Sequence, residues 1–68
     1  MKEKIERPLD LLNALKGKEV IIVTKNTKEI KAELVAFDIH INLVIEKAGH
    51  LRFIRGDEVM SVEELNGS

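Results

Sequence analysis

The arrangement of apolar and polar side chains divides the chain into one short helix and a run of strands. Pro8 suits the first turn of a helix, Asp10 follows where the helix dipole favours an anion, and Leu9, Leu12 and Leu15 form an apolar stripe with Leu11 beside them. Lys16 and Gly17 mark its end, which gives a two-turn amphipathic helix too short to stand without support. Val20-Ile21-Ile22-Val23 is a β-branched run and reads as a strand buried on both sides, spanning Glu19 to Thr24. After a polar turn, Lys25-Asn26-Thr27-Lys28, the segment Glu29 to Phe37 alternates. Ile30, Ala32, Leu34 and Ala36 lie on one face, with Lys31, Glu33 and Val35 on the other.

From Phe37 to Ile45 the alternation carries an unusual polar row of Asp38, His40 and Asn42, where a solvated strand would carry Lys, Glu or Thr. The Asp38–Asn42 portion is better read as the turn joining two strands. Further strands follow at Ile41 to Glu46, Leu51 to Ile54 and Val59 to Val62. They are separated by the turns Lys47-Ala48-Gly49 and Arg55-Gly56-Asp57, with a polar tail from Glu63. The fold class expected is mainly β: a short N-terminal helix followed by a five-stranded, strongly bent antiparallel sheet that makes a small barrel. The domain should cover residues 8–65, with flexible tails at 1–7 and 66–68. The last two strands are expected to leave their edges open, and open edges call for a cover.

Composition narrows the possibilities. A chain of 68 residues is one domain at most, and one so small buries only about 60% of its unfolded surface. It has no cysteine, so neither a disulfide nor a thiolate zinc site can reinforce it, and association with further copies is an attractive source of burial. Eleven basic and twelve acidic side chains give a net charge of -1, which argues against binding nucleic acid through bulk positive charge but leaves room for a focused site. No apolar run approaches the ~20 residues needed to span a bilayer, and the N-terminal stretch lacks the apolar core of a signal peptide. A cytoplasmic protein is expected. Asn66-Gly67-Ser68 matches a glycosylation sequon by pattern, which carries no meaning without secretion.

Two clusters bear chemistry: Asp38-x-His40-x-Asn42 and Arg55-Gly56-Asp57. Neither is accompanied by a nucleophile motif, and Asp38, His40 and His50 offer too few ligands, at no recognised spacing, for a metal. No catalysis, metal or cofactor is expected. Base recognition fits the residue types better. A carboxamide presents a donor and an acceptor that match the O4 and N3–H of uracil, while an imidazole and a guanidinium can sandwich the ring. The bland alternatives are a solvated strand face for His40 and Asn42, and an ion pair of Arg55 with Asp57 or with Glu58 of a neighbouring copy. Phe37 and Phe53 fall on apolar faces and read as core, His50 as a plain turn residue, and Lys2, Lys4, Arg7, Lys25 and Lys28 as solvated cations.

From Arg7 to Val62 the chain resembles the Sm and Sm-like (LSm) family, closest to its archaeal members. Arg7-Pro8-Leu9-Asp10-Leu11-Leu12 is similar to that family's N-terminal helix. Residues 29–45, with Asp38-Ile39-His40-Ile41-Asn42-Leu43-Val44, are similar to its first signature motif, and Ile54-Arg55-Gly56-Asp57-Glu58-Val59 to its second. The bacterial branch has Tyr-Lys-His in place of Arg-Gly-Asp, so the similarity points away from it. The resemblance implies a homo-oligomeric ring, typically of seven, closed by pairing the fifth strand of one subunit with the fourth of the next. It also implies single-stranded, U-rich RNA as the ligand, held at the central pore. His40 and Arg55 would then stack on the base, Asn42 would read its edge, Asp57 would orient Asn42, Gly56 would allow close approach, and Asp38 would stabilise its own turn. A structural ring or ribonucleoprotein scaffold with little RNA specificity stands as the alternative. The chain departs from the family pattern at Ala32, where glycine is usual, at Asn26-Thr27, which lacks the usual glycines, and in the short Glu46–His50 segment.

Overall fold

A computed structural model describes residues 7–65; the expected tail residues 1–6 and 66–68 lie outside the described residues. The element order is α1 (Pro8–Leu15), β1 (Glu19–Thr24), β2 (Glu29–Phe37), β3 (Leu43–Lys47), β4 (His50–Ile54), a single 3-10 turn (Gly56–Glu58) and β5 (Val59–Glu64). All strands join one antiparallel sheet, as expected from the sequence; its order is β4-β3-β2-β1-β5, with β4 and β5 at its two edges. No helix among the described residues is long and apolar enough to cross a membrane.

Arg7 was expected in the tail but belongs to the helix start. Its backbone N–H donates to Asp10 Oδ2 at 3.0 Å, and its carbonyl accepts the Asp10 N–H at 2.9 Å. This reciprocal bonding satisfies donors that a helix N-terminus leaves without partners. Leu12 and Leu15 are buried, while Leu11 stays at the surface. At the other end Gly17 adopts φ +85, a left-handed conformation that costs a glycine little, and its N–H reaches the Leu34 carbonyl at 2.8 Å. The helix is thereby stopped and the chain delivered directly into β1.

Val20, Ile22, Leu34, Leu43 and Ile45 are fully buried and form the core together with Leu12, Leu15, Ala32 and Ile54. The expectation that β1 is buried on both faces holds for one face only, since Ile21 and Val23 are half-buried. The alternation in β2 is also interrupted. Leu34 pairs with Ile45 but Ala36 pairs with Val44, so an extra residue at Val35 makes a bulge that shifts the strand's parity. Ala36 therefore leaves the core face that Ile30, Ala32 and Leu34 share, and Phe37, opposite Leu43, takes its place against the core. The bulge supplies bending at a strand where Ala32, buried opposite Val20, stands in place of the glycine usual in the family that the sequence resembles.

The β1–β2 turn manages without the usual glycines. Thr27 takes φ +65, and its N–H bonds to the Thr24 carbonyl at 2.8 Å. The buried Thr24 hydroxyl bonds to the Asn26 side chain. Between β3 and β4, Lys47 pairs with His50, so the loop is only Ala48-Gly49, with φ of +54 and +81. Both values are positive, as a two-residue type I′ hairpin requires. His50 thus opens β4 rather than sitting in the turn. Phe53, which the apolar pattern places in the core, is 63% exposed, because it stands on an edge strand opposite Val44, out of step with the buried Leu43 and Ile45.

Candidate nucleic-acid interface

The two chemistry-bearing clusters meet at one end of the barrel. The first forms the β2–β3 loop and the second the 3-10 turn between β4 and β5. They touch because β3 pairs with both β2 and β4.

Asp38 organises the first loop. Its Oδ1 accepts the backbone N–H of His40 at 2.9 Å and of Asn42 at 3.1 Å, while Oδ2 accepts the Asn42 side-chain Nδ2 at 3.0 Å. A short acidic side chain that captures nearby backbone donors is a common way to hold a tight turn. The bond from the Asn42 side chain is the main reason the Asp38 carboxyl sits below its ordinary value of 3.8; desolvation, next in size, opposes it, and the two backbone donors act in the same direction as Asn42. Ile41, enclosed by these bonds, adopts φ +65, which is uncommon for a β-branched residue, and packs its side chain against the core. Strain of this kind, of order 1–3 kcal/mol, persists only where the surroundings over-determine it.

Asn42 is the link to the second cluster, since its Oδ1 accepts the Gly56 N–H at 2.6 Å. With Asp38 accepting at one end of the amide and Gly56 donating at the other, the orientation of the amide is fixed. One N–H and one carbonyl lone pair remain for a ligand. Gly56 has to be glycine here: a Cβ would fall on the His40 carbonyl oxygen. The role given to Asp57 from the sequence therefore changes. Asp38 and Gly56 orient Asn42, and Asp57 instead lies 3.5 Å from Arg55 Nη2. Both members of that ion pair are exposed, so it guides the guanidinium more than it stabilises the fold. His40 and Arg55 are both exposed, and each belongs to one of the two loops that the Asn42–Gly56 bond joins.

The structure adds a contact that the strand pattern does not reveal. The Lys25 N–H donates to the Glu58 carbonyl at 2.9 Å, which ties the β1–β2 turn to the Arg-Gly-Asp turn. Ile39, the apolar member of the alternating row next to His40, is 74% exposed at the loop tip. Among the described residues, no group of three or more acidic or histidine side chains is placed to hold a metal.

Residues 10–64 match the LSM domain. The chain belongs to the LSM family. An snRNP Sm-like protein of Methanosarcina barkeri is 40% identical over 67 residues, covering 82% of this chain and 93% of the relative. Among solved structures, the Sm protein of Pyrococcus abyssi in complex with a uridine heptamer superposes with a TM-score of 0.74. It is 30% identical and covers 87% of this chain and 99% of its own. A heptameric archaeal Sm protein superposes with a TM-score of 0.69 at 26% identity, covering 79% of this chain and 94% of its own. The chain is an archaeal-type Sm-like protein, and the bent five-stranded sheet behind a short helix is the fold it shares with these structures.

Proposed function

We propose that this LSM chain assembles into a homo-oligomeric ring of seven subunits and binds single-stranded, U-rich RNA at the central pore, without chemistry. Its LSM domain would span residues 8–65. His40 and Arg55 would sandwich the uracil ring, Asn42 would read its edge, and Asp57 would hold the Arg55 guanidinium over the base. Gly56 would keep the two loops in contact. The observation that carries this reading is the Asn42 amide, fixed by Asp38 and Gly56 with one donor and one acceptor left over. That pair matches the O4 acceptor and N3–H donor of uracil, and a fixed amide cannot rotate to suit cytosine.

The ring reading draws its support from the sheet. Its two edges are different strands, β4 and β5, and both carry apolar side chains in solvent: Leu51 at 68% and Phe53 on β4, Met60 at 60% on β5. Complementary unlike edges join head to tail, and such contacts close into rings when the rotation permits. The net charge of -1 places the affinity in repeated pockets, since one RNA strand crossing several subunits gains from effective concentration. The heptameric archaeal Sm protein and the Sm protein bound to a uridine heptamer are consistent with both halves of the proposal.

Titration of fluorescent oligo-U and oligo-C against the assembled protein tests it. Oligo-U should bind at least about tenfold more tightly, the equivalent of ~1.4 kcal/mol. Asn42→Ala should remove that preference while the particle mass stays unchanged. Equal affinity for the two oligonucleotides would leave the ring as a scaffold without base specificity.

A further inference from the structure

We propose that the seam between neighbouring copies is held in a single register by an ion pair from Arg52 of one copy to Glu63 of the next. The proposal rests on the reading that copies join β4 to β5, and it specifies how.

The free backbone groups come first. Lys47 and His50 flank a two-residue loop, so they form a hydrogen-bonded pair, and His50, Arg52 and Ile54 direct their N–H and C=O groups at β3. Leu51 and Phe53 therefore direct theirs outward. On the other edge, the Lys25 N–H to Glu58 carbonyl and the Leu65 N–H to Glu19 carbonyl, each 2.9 Å, fix the parity of β5. With Ile21 opposite Glu63 and Val23 opposite Ser61, the residues Ser61, Glu63 and Leu65 face β1, and Val62 and Glu64 direct their groups outward. In an antiparallel ladder, outward groups must meet outward groups. Only registers that differ by steps of two residues are open to the seam.

Side chains choose among them. In one register Phe53 opposes Val62, Leu51 opposes Glu64, and Arg52 opposes Glu63. Arg52 and Glu63 then form a non-hydrogen-bonded pair, the kind in which opposite side chains lie closest. Neither residue has an ion-pair partner among the described residues of its own chain. In the same register Phe53 lies on the face of Val62 and reaches the apolar groove between α1 and β5, which is lined by Leu11, Leu12, Met60 and Val62. Sliding one way sets Phe53 against Met60. The ladder is irregular there, because Val23 pairs with Ser61 while Thr24 pairs with Val59, so Met60 is the extra residue of a bulge. Sliding the other way sets Phe53 against the Glu64 carboxylate and leaves Leu51 beyond the end of β5. The charges agree with the first choice. The β4 edge carries His50 and Arg52 with no acid, and the β5 edge carries Glu63 and Glu64 with no base.

Charge reversal tests the register. Arg52→Glu and Glu63→Arg are surface changes, and circular dichroism at low concentration should show both variants folded. By native mass spectrometry over a dilution series, each single variant should require at least about tenfold more protein for half-assembly, because like charges then oppose one another across every seam. The double variant Arg52→Glu/Glu63→Arg should return to within about threefold of the parent. His50→Glu should have little effect. Single reversals that leave assembly unchanged, a double variant that stays dissociated, or disruption by His50→Glu with a silent Arg52→Glu would each overturn the register while leaving ring formation intact. A parent chain that is monomeric at every concentration would instead overturn the assembly reading itself.

Discussion

Asp38 holds three donors with two oxygens, and everything proposed for the base pocket depends on that arrangement. The residue types of the pocket could be read from the sequence, because a carboxamide, an imidazole and a guanidinium in two short motifs limit the ligands they suit. The partner of Asn42 could not be read. Asp57 looked suitable by type, but the contact is made by Asp38, four residues away through a turn in which Ile41 is left-handed. Alternation of apolar and polar positions carries no trace of such a reversal. Because the Asp38 carboxyl titrates below its ordinary 3.8 when folded, the stability it contributes is present above that value and is lost as pH falls through the lower folded one. Asp38→Asn cannot accept both from the backbone and from the Asn42 amide without opposing donor to donor. At neutral pH that variant should melt below the parent, and the two melting temperatures should converge as the parent's carboxylate is protonated. Thermal unfolding followed by circular dichroism from neutral to acid pH checks this; a constant gap would count against it.

Among the elements, the strands were legible and their irregularities were not. Val20, Ile22, Leu34 and Ile45 stand out as core by β-branched runs and period-two spacing. The bulges at Val35 and Met60 leave no mark on that spacing, because each inserts a residue whose side chain is compatible with either face. Ala36 was misplaced for that reason. Phe53 was misplaced for another: an apolar strand face reads as core whether its cover comes from the same chain or from a neighbour. The β3–β4 hairpin contains a correctable feature. Ala48 sits at φ +54, where alanine pays a steric penalty and asparagine is well tolerated. Ala48→Asn should raise stability by about 0.5–1 kcal/mol, seen as a melting temperature a few degrees higher at equal protein concentration. No change in RNA affinity should accompany it, since the hairpin pairs Lys47 with His50 at the opposite end of β4 from Arg55.

For the whole molecule, the sheet order is the informative fact: β4 at one edge, β5 at the other, and among the described residues no strand to cover either. Chain size and the count of tight turns were enough to anticipate open edges, and a small core explains why they would be useful. Because the two edges differ, a growing assembly always has one end of each kind until it closes, and the two ends can be blocked independently. Leu51 is exposed and its N–H points away from β3, so proline there removes an edge donor without breaking a bond inside the chain. A copy carrying Leu51→Pro would keep a working β5 edge and lack a working β4 edge. Mixed with an excess of parent chain before assembly, it should act as a chain terminator and reduce the yield of closed particles by far more than its own share. Native mass spectrometry would show open arcs each ending in one variant copy. Loss merely in proportion to the amount added would mean that the two edges do not operate as the two ends of one growing chain.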